Sequence, residues 1–282
     1  MPIEEALEMF AIFGGFEEKL SIDLFDTVDD ILQKNIISSY NIIEGKISPS
    51  YLLDKPYRDI LIAIARGDGK VLNIFKRARL SESVGGDILI ELERLNIVEI
   101  VQSREQPLKI HPKQKIKKNL RSYRIQPKVH FKMPFLRFWF GFVEIYKDDL
   151  QKGNYQKFWD NYNQHKERCV SLSFEQLSNE LIELHFKDIQ PLIQKGNFWN
   201  RFSEFDILCI TNNRNIILGE CKSKGRKVCK NELTKLKEKA NKSRIRVDTY
   251  ALFSLSGFSN ELLQNRDKNL LLFEGKDFIR LI

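Results

Sequence analysis

The segment 204–222 reads EFDILCITNNRNIILGECK, and its two apolar runs flank a polar turn. This pattern predicts a β-hairpin with Asp206 on the first strand and Glu220 and Lys222 at the end of the second. Because side chains alternate between the faces of a strand, Glu220 and Lys222 point the same way and Cys221 points opposite. With Asp206 on that side as well, two carboxylates and an ammonium converge. Such a set can hold Mg²⁺ and place a cation beside an attacking water.

The hairpin resembles the PD-(D/E)XK nuclease superfamily, whose motif is an acidic residue, a short hairpin and then (D/E)-X-K. The resemblance implies that Asp206 and Glu220 bind Mg²⁺ or Mn²⁺. It also implies that Lys222 positions, or helps to deprotonate, the water that attacks a phosphodiester. Phe205 stands where the motif name has Pro, a position that varies in such motifs.

That superfamily tends to place a further acidic residue on a helix before the hairpin. The helical segment 174–182 supplies Glu175 as the better match and Glu180 as the second. The resemblance therefore implies that Glu175 completes the catalytic set. The alternative interpretation is an exposed hairpin end that carries charges, since an acid followed at a distance by Glu-x-Lys is a loose pattern.

Composition predicts a globular protein with a real core, since 42% of the 282 residues are hydrophobic. No apolar run reaches transmembrane length, and the first residues, MPIEE, lack a basic signal-peptide start. The four cysteines show no C-x-x-C spacing. The expectation is a reduced, cytoplasmic setting without a membrane, in which Cys209 and Cys221 are buried.

Positive charge is concentrated in two stretches of a chain whose net charge is +8. Residues 104–132 hold ten Lys/Arg and one acidic residue, and residues 221–246 hold eleven and two. Such patches indicate contact with phosphates, and the alternative is a solvated lysine-rich surface. The residues predicted to bind nucleic acid are Lys113, Lys115, Lys117, Lys118, Lys224, Arg226, Lys227 and Lys235.

Apolar spacing predicts helices over 56–65, 71–79 and 84–95, then a strand over 96–101 and a returning strand near 121–126. Three helices and a strand pair make a winged helix-turn-helix. Its third helix is acidic and would be repelled by DNA phosphates, so contact through the basic segment 104–120 is favoured, and protein docking is the alternative. The acidic residues of this helix are Glu82, Asp87, Glu91 and Glu93.

The fold class expected is α+β or α/β, with a helical winged helix-turn-helix part followed by a restriction-endonuclease-like mixed sheet flanked by helices. The aromatic residues of 131–142 are expected in a core or interface rather than stacked on bases. The predicted regions are a helical lead-in at 1–50, a winged helix-turn-helix domain at 51–130, an aromatic-rich helical connector at 131–170 and a nuclease-like domain at 171–282.

Three phrases, YRDILIAIARG at 57–67, ELERLNIV at 91–98 and PFLRFWF at 134–140, together resemble the C-terminal half of archaeal-type DEXX-box ATPases. That half is a winged helix followed by a domain of unknown function with PD-(D/E)XK-like character. The resemblance covers the chain from about residue 50 onward. No G-x-x-x-x-G-K-[ST] motif occurs, so nucleotide hydrolysis is expected to be absent.

The leading hypothesis is a Mg²⁺-dependent deoxyribonuclease. The alternatives are a non-catalytic nucleic-acid-binding or regulatory protein and a docking partner of a separate ATPase, each retaining the nuclease fold. Expected partners are nucleic acid, foremost DNA, together with a separate ATPase and a second copy of the chain.

Overall fold

A computed structural model of the protein describes residues 2–105, 109, 111, 113–121, 124–264 and 267–281, without the side chain of Asn119. The predicted basic segment 104–120 and the predicted returning strand 121–126 therefore lie partly outside the described residues. The chain divides into two compact units. The first consists of Met1–Gln102 and Gln126–Val170, and the second of Ser103–Ile125 and Ser171–Ile282.

Helices dominate the first unit. In chain order they are α1 Ile3–Phe13, α2 Val28–Leu32, α3 Tyr40–Glu44, α4 Tyr57–Arg66, α5 Val71–Ala78, α6 Glu82–Arg94, α7 Pro134–Phe138, α8 Lys147–Leu150 and α9 Gln156–Phe186. The division between the units falls within α9. The irregular helical turns of the chain are Gln33–Ile37, Ser50–Leu53, Lys118–Leu120, Trp139–Val143, Glu144–Tyr146 and Gly275–Leu281.

The helix predicted over 56–65 is α4, which begins directly after Pro56 and ends before Gly67. Proline suits this position because it has no N–H to satisfy at the start of a helix. Ile60, Leu61 and Ile64 recur at helical spacing and are all buried. The prediction of this helix is confirmed.

The third predicted helix is α6, and its N-terminus is capped by Ser81, whose Oγ accepts a hydrogen bond from the Val84 N at 3.3 Å. One of its acidic residues, Glu91, accepts hydrogen bonds from the hydroxyls of Tyr51 and Tyr57. This carboxylate therefore joins α6 to the preceding segment.

Two short strands, β1 Val98–Val101 and β2 Lys128–Phe131, pair antiparallel within the first unit. The returning strand thus begins later in the chain than the predicted range 121–126. Contacts outside the hairpin position it, because the Val129 N donates a hydrogen bond to the Gly69 carbonyl at 2.8 Å. The apolar pattern along the chain gives no information on this contact, so it could not place the strand correctly.

Aromatic rings fill the centre of the first unit, as predicted. Tyr40 stacks on Trp139 with ring centroids 5.5 Å apart. Such aromatic pairs add to the stabilisation that comes from the buried area itself. The buried aromatic residues of the predicted cluster are Phe131, Phe135, Phe138, Trp139, Phe140 and Phe142.

Two neighbouring glycines of α6 offer a test of how α5 packs on α6. A Cβ on Gly85 would lie 2.4 Å from Cδ1 of Phe75, so Gly85→Ala is expected to destabilise the protein by about 1–3 kcal/mol. A Cβ on Gly86 would meet no atom within 4 Å, so Gly86→Ala is expected to stabilise it by about 0.5–1 kcal/mol through helix propensity. Urea unfolding measures both, and equal effects of the two substitutions would contradict the packing.

The second unit is built on a mixed sheet. Its strands are β3 Leu192–Gln194, β4 Phe198–Trp199, β5 Glu204–Phe205, β6 Ile207–Thr211, β7 Ile216–Lys222, β8 Thr249–Ser254 and β9 Leu270–Glu274. The sheet order is β3-β6-β7-β8-β9, with β3, β6 and β7 antiparallel and β7, β8 and β9 parallel. The small pair β4–β5 is separate.

Helices α10 Lys230–Lys242 and α11 Asn260–Gln264 make the crossovers between the parallel strands, as such connections require. The core of this unit includes Leu218, Leu236, Ala240 and Leu252, so α10 packs its apolar side on the sheet. The predicted class, a mixed α and β protein with a mixed sheet, is confirmed.

Candidate active site

Asp206 lies at a bend between β5 and β6, so the strand predicted there is interrupted at this residue. Ile207 pairs with Gly219 across β6 and β7, which brings Asp206 beside Glu220. The Asp206 Oδ2 accepts a hydrogen bond from the Cys221 N at 2.8 Å. The bend, together with this hydrogen bond, directs the carboxylate toward the end of β7.

Glu220 is 9% exposed, and two lysines contact its carboxylate. The Lys222 Nζ donates a hydrogen bond to Oε1 at 2.7 Å. The Nζ of Lys239, a residue of α10, lies 3.0 Å from Oε2 and 3.2 Å from Oε1. Glu220 and Lys222 share a face of β7 while Cys221 is buried on the other, as strand alternation predicts. The structure thus brings together Asp206, Glu220 and Lys222, with Lys239 added.

The electrostatics of this cluster show how close the two carboxylates are. Burial, and then the charge of Glu220, raises the pKa of Asp206 to about 6. Burial lowers the pKa of Lys222, but the hydrogen bond and the charge of Glu220 outweigh it, so that this pKa is raised. Lys222 therefore carries a proton in its ion pair with Glu220.

Asn179, a residue of α9, contacts the main chain at Asp206. Its Nδ2 donates hydrogen bonds to the main-chain oxygens of Glu175, at 2.9 Å, and of Asp206, at 3.4 Å. Its Oδ1 is buried and has no hydrogen-bond partner within the part of the chain that the structure describes. Burial and the Asp206 charge raise the pKa of the Cys221 thiol, and Glu175 is near enough to add to this effect. Glu180, the second candidate on this helix, is exposed.

The residues predicted to bind nucleic acid all belong to the second unit. Lys224, Arg226 and Lys227 are exposed in the segment between β7 and α10, directly after Lys222. Lys235 is exposed on α10 and forms an ion pair with Glu232 at 2.8 Å. The four predicted residues of the first basic stretch are also exposed, namely Lys113, Lys115, Lys117 and Lys118.

Arg104 is one basic residue of that stretch with a different role. Its guanidinium donates hydrogen bonds to the main-chain oxygens of Asn197, at 3.1 Å, and of Leu208, at 3.3 Å. It also lies over the ring of Phe198 at 5.7 Å. Arg104 therefore joins its segment to the sheet of the second unit.

Two residues of the site were not given a role from the sequence. Asn179 lies one turn after Glu175, so helical spacing alone puts it on the same face. Lys239 lies on α10, and the sequence has many lysines there that are indistinguishable by pattern. Only the contact with Glu220 singles it out.

The side chains of the site can supply some, but not all, of the oxygen ligands that Mg²⁺ needs. In the described ranges of the chain, no group of three or more His, Cys, Asp and Glu side chains is placed to hold a metal ion. Mg²⁺, however, is commonly held by one or two carboxylates while waters and substrate phosphates fill the other positions. Asp206 and Glu220 provide two carboxylates, and Asn179, whose Oδ1 has no hydrogen-bond partner in the described residues, contacts the main chain of Asp206. These residues therefore fit a hydrated magnesium ion rather than a fully enclosed one.

Comparisons with known proteins find one family model that matches part of the chain. Residues 139–240 match the model of DUF234, described as archaea bacterial proteins of unknown function, and this range contains the residues of the site. No curated protein matches the chain.

Among solved structures, protein VC1899 from Vibrio cholerae is similar, with 14% identity and a TM-score of 0.32. The match covers 86% of this chain and 53% of that one, so the chain spans about half the length of that protein. None of the helices in the described residues is both long and apolar enough to cross a membrane.

Proposed function

We propose that the protein is a metal-dependent nuclease of the PD-(D/E)XK type that cleaves DNA phosphodiesters. The observation that carries the proposal is the approach of the Asp206 and Glu220 carboxylates and the Lys222 ammonium at one end of an antiparallel hairpin. The hairpin lies in a mixed sheet and continues through α10 into the parallel strand β8, an arrangement that supports a restriction-endonuclease-like fold.

Each residue of the site has a proposed role. Asp206 and Glu220 would hold Mg²⁺ or Mn²⁺, and Glu175 would complete the shell. A bound ion of this kind would act as a Lewis acid on the phosphoryl oxygen and would lower the pKa of a water molecule that it coordinates. The protonated Lys222 Nζ donates hydrogen bonds, and it would orient the attacking water and balance the negative charge that develops at the phosphate.

DNA would be held by the exposed cations next to the site. These cations, Lys224, Arg226 and Lys227, directly follow β7, and the lysines at 113–118, in the first basic stretch, belong to the same unit. Contacts of this kind are made to phosphates and are independent of sequence.

The helices α4, α5 and α6 with the β1–β2 pair are proposed to form a winged helix. In α6, Glu91 is bonded to two tyrosines, and the Glu93 Oε1 accepts a hydrogen bond from the Ile100 N at 3.0 Å. These two acids hold the helix in place, and the exposed acids Glu82 and Asp87 of the same helix suit protein docking better than DNA. A separate ATPase is the proposed partner, because the chain resembles half of such an enzyme without its phosphate-binding motif.

A non-catalytic nucleic-acid-binding protein is the second candidate, and one observation favours it. Both oxygens of Glu220 are engaged by lysines. In this candidate, the neutralised carboxylate of Glu220 binds no metal ion and holds the hairpin and α10 together. The same basic surface would then bind DNA without cutting it.

Cleavage of supercoiled plasmid and single-stranded DNA with Mg²⁺ or Mn²⁺ tests the proposal, with DNA binding scored in the same samples. The wild type is expected to cut at least one of these two DNAs, and to do so only when Mg²⁺ or Mn²⁺ is present. Glu220→Ala and Lys222→Ala are expected to lose cutting and to keep DNA binding, since the main phosphate contacts lie outside these two side chains. The matched controls are Glu238→Ala and Lys242→Ala, which change exposed residues of α10.

The outcomes separate the candidates. Metal-dependent cutting that is lost only in the two site variants supports a nuclease. DNA binding without cutting in every protein supports the second candidate. Neither binding nor cutting would leave docking to a protein partner as the function.

A further inference from the structure

Lys239 stands out because it makes a contact that the (D/E)-X-K pattern does not account for. It lies on α10, seventeen residues after Lys222, yet its Nζ lies within 3.2 Å of both oxygens of Glu220. Its side chain is 38% exposed, while that of Glu220 is 11% exposed. A half-exposed lysine thus closes over a nearly buried carboxylate.

Two ammonium groups on one carboxylate bear directly on metal binding. Lys222 engages Oε1, and Lys239 engages Oε2 and Oε1, so each oxygen has a cationic donor. A carboxylate oxygen has few lone pairs to share, and an ammonium at this distance repels a divalent cation. A metal ion that uses Glu220 therefore has to displace at least one of the two lysines.

Lys239 is the one that can leave. The two side chains are similarly exposed, 34% for Lys222 and 38% for Lys239, so what separates them is the backbone. Lys222 comes from the same strand as Glu220 and the same face, two residues away, so the sheet holds its Cα beside the carboxylate. Lys239 comes from a different element and its flexible stem reaches solvent, so its ammonium can turn away from Glu220 at little cost.

We propose that Lys239 is a positioning residue that competes with the metal: its ammonium holds and neutralises Glu220 until a divalent ion displaces it. The inference rests on the proposed function, since it assumes that Glu220 is a metal ligand. Once displaced from Glu220, the ammonium is free to add a positive charge for the DNA phosphate. Metal binding and phosphate binding are coupled through this one side chain.

The test is the affinity of the metal-free protein for Mg²⁺, measured from the rise in melting temperature along a titration with MgCl₂ and without any substrate. Lys239→Met is expected to lower the midpoint of the titration about tenfold, because the competitor is gone. Lys239→Gln, a second neutral variant, is expected to do the same. Lys242→Met, on the exposed side of α10, is expected to leave the midpoint unchanged.

A structural role of Lys239 predicts the opposite result. If the ion pair only holds α10 to the sheet, both Lys239 variants bind Mg²⁺ equally or more weakly, and the inference is overturned. Glu220→Gln separates this failure from a failure of the proposed function. A wild-type response that Glu220→Gln abolishes shows that Glu220 binds metal, whatever Lys239 does; no response in the wild type overturns both proposals.

Discussion

Asp206→Asn is expected to abolish metal-dependent cleavage and, at the same time, to stabilise the second unit at neutral pH. Cleavage is expected to fall about 10³-fold, since the substitution removes a charged metal ligand. The amide keeps an oxygen that can accept the hydrogen bond from the Cys221 N. The main change is therefore the loss of a negative charge that is held, partly buried, beside Glu220.

The stability gain has a definite pH dependence. The pKa of Asp206 is raised from 3.8 to about 6, so the folded state binds its proton more tightly than the unfolded state. The carboxyl group therefore costs nothing below pH 3.8, and its cost grows as the pH rises to about 6. With 3.8 and about 6 as the two pKa values, Asp206→Asn is expected to add about 3 kcal/mol above that window.

Urea unfolding of the metal-free protein at pH 4 and pH 8 measures this effect. The two proteins are expected to be close in stability at the lower pH and to separate at the higher one. Asp248→Asn is the matched control, because Asp248 also accepts a main-chain hydrogen bond, from the Ile216 N at 2.8 Å, but is exposed. A gain of the same size in both variants, or none in either, would contradict the placement of Asp206 beside Glu220.

The second large effect is expected on DNA binding. Replacing Lys224, Arg226 and Lys227 together by Ala should weaken binding about 10- to 100-fold at moderate salt and lower the salt slope by up to about 3, because each phosphate contact contributes about 0.9 to that slope. These three side chains are exposed, so the fold is expected to be unaffected. Fluorescence anisotropy of a labelled duplex over a range of salt concentrations gives both quantities.

A control triple variant separates a local surface from general charge. Lys152, Lys187 and Lys268 are exposed lysines outside the two basic stretches. Their replacement removes the same charge and is expected to change the slope by far less. Equal losses in the two triple variants would indicate that DNA responds to the net charge of the protein rather than to the segment beside the site.

The local parts of the fold were predictable because their causes are local. Pro56, Gly67 and the cap Ser81 lie at the ends of α4 and α6, where the chemistry of helix termini puts such residues. The apolar runs around the turn at 211–216 predict the hairpin, which is β6–β7. The buried positions of Cys209 and Cys221 followed from the same runs.

The errors arise where distant contacts decide. The returning strand is Lys128–Phe131 rather than 121–126, since the Val129 N bonds to Gly69, and a propensity pattern holds no information on that partner. Asp206 lies at a bend rather than within a strand. Its direction results from the hydrogen bond to Cys221, a residue fifteen positions away.

The sequence by itself determined the helices α4, α5 and α6, the hairpin and the residue types of the site, because helix caps and apolar periodicity act between neighbours along the chain. The tertiary structure alone decided which charges meet. The position of α10 on the sheet places Lys239, and not another lysine of that helix, on both oxygens of Glu220. The orientation of α9 brings the Asn179 side chain against the main-chain oxygen of Asp206. Such contacts depend on how elements pack, and their partners are therefore not encoded in spacing.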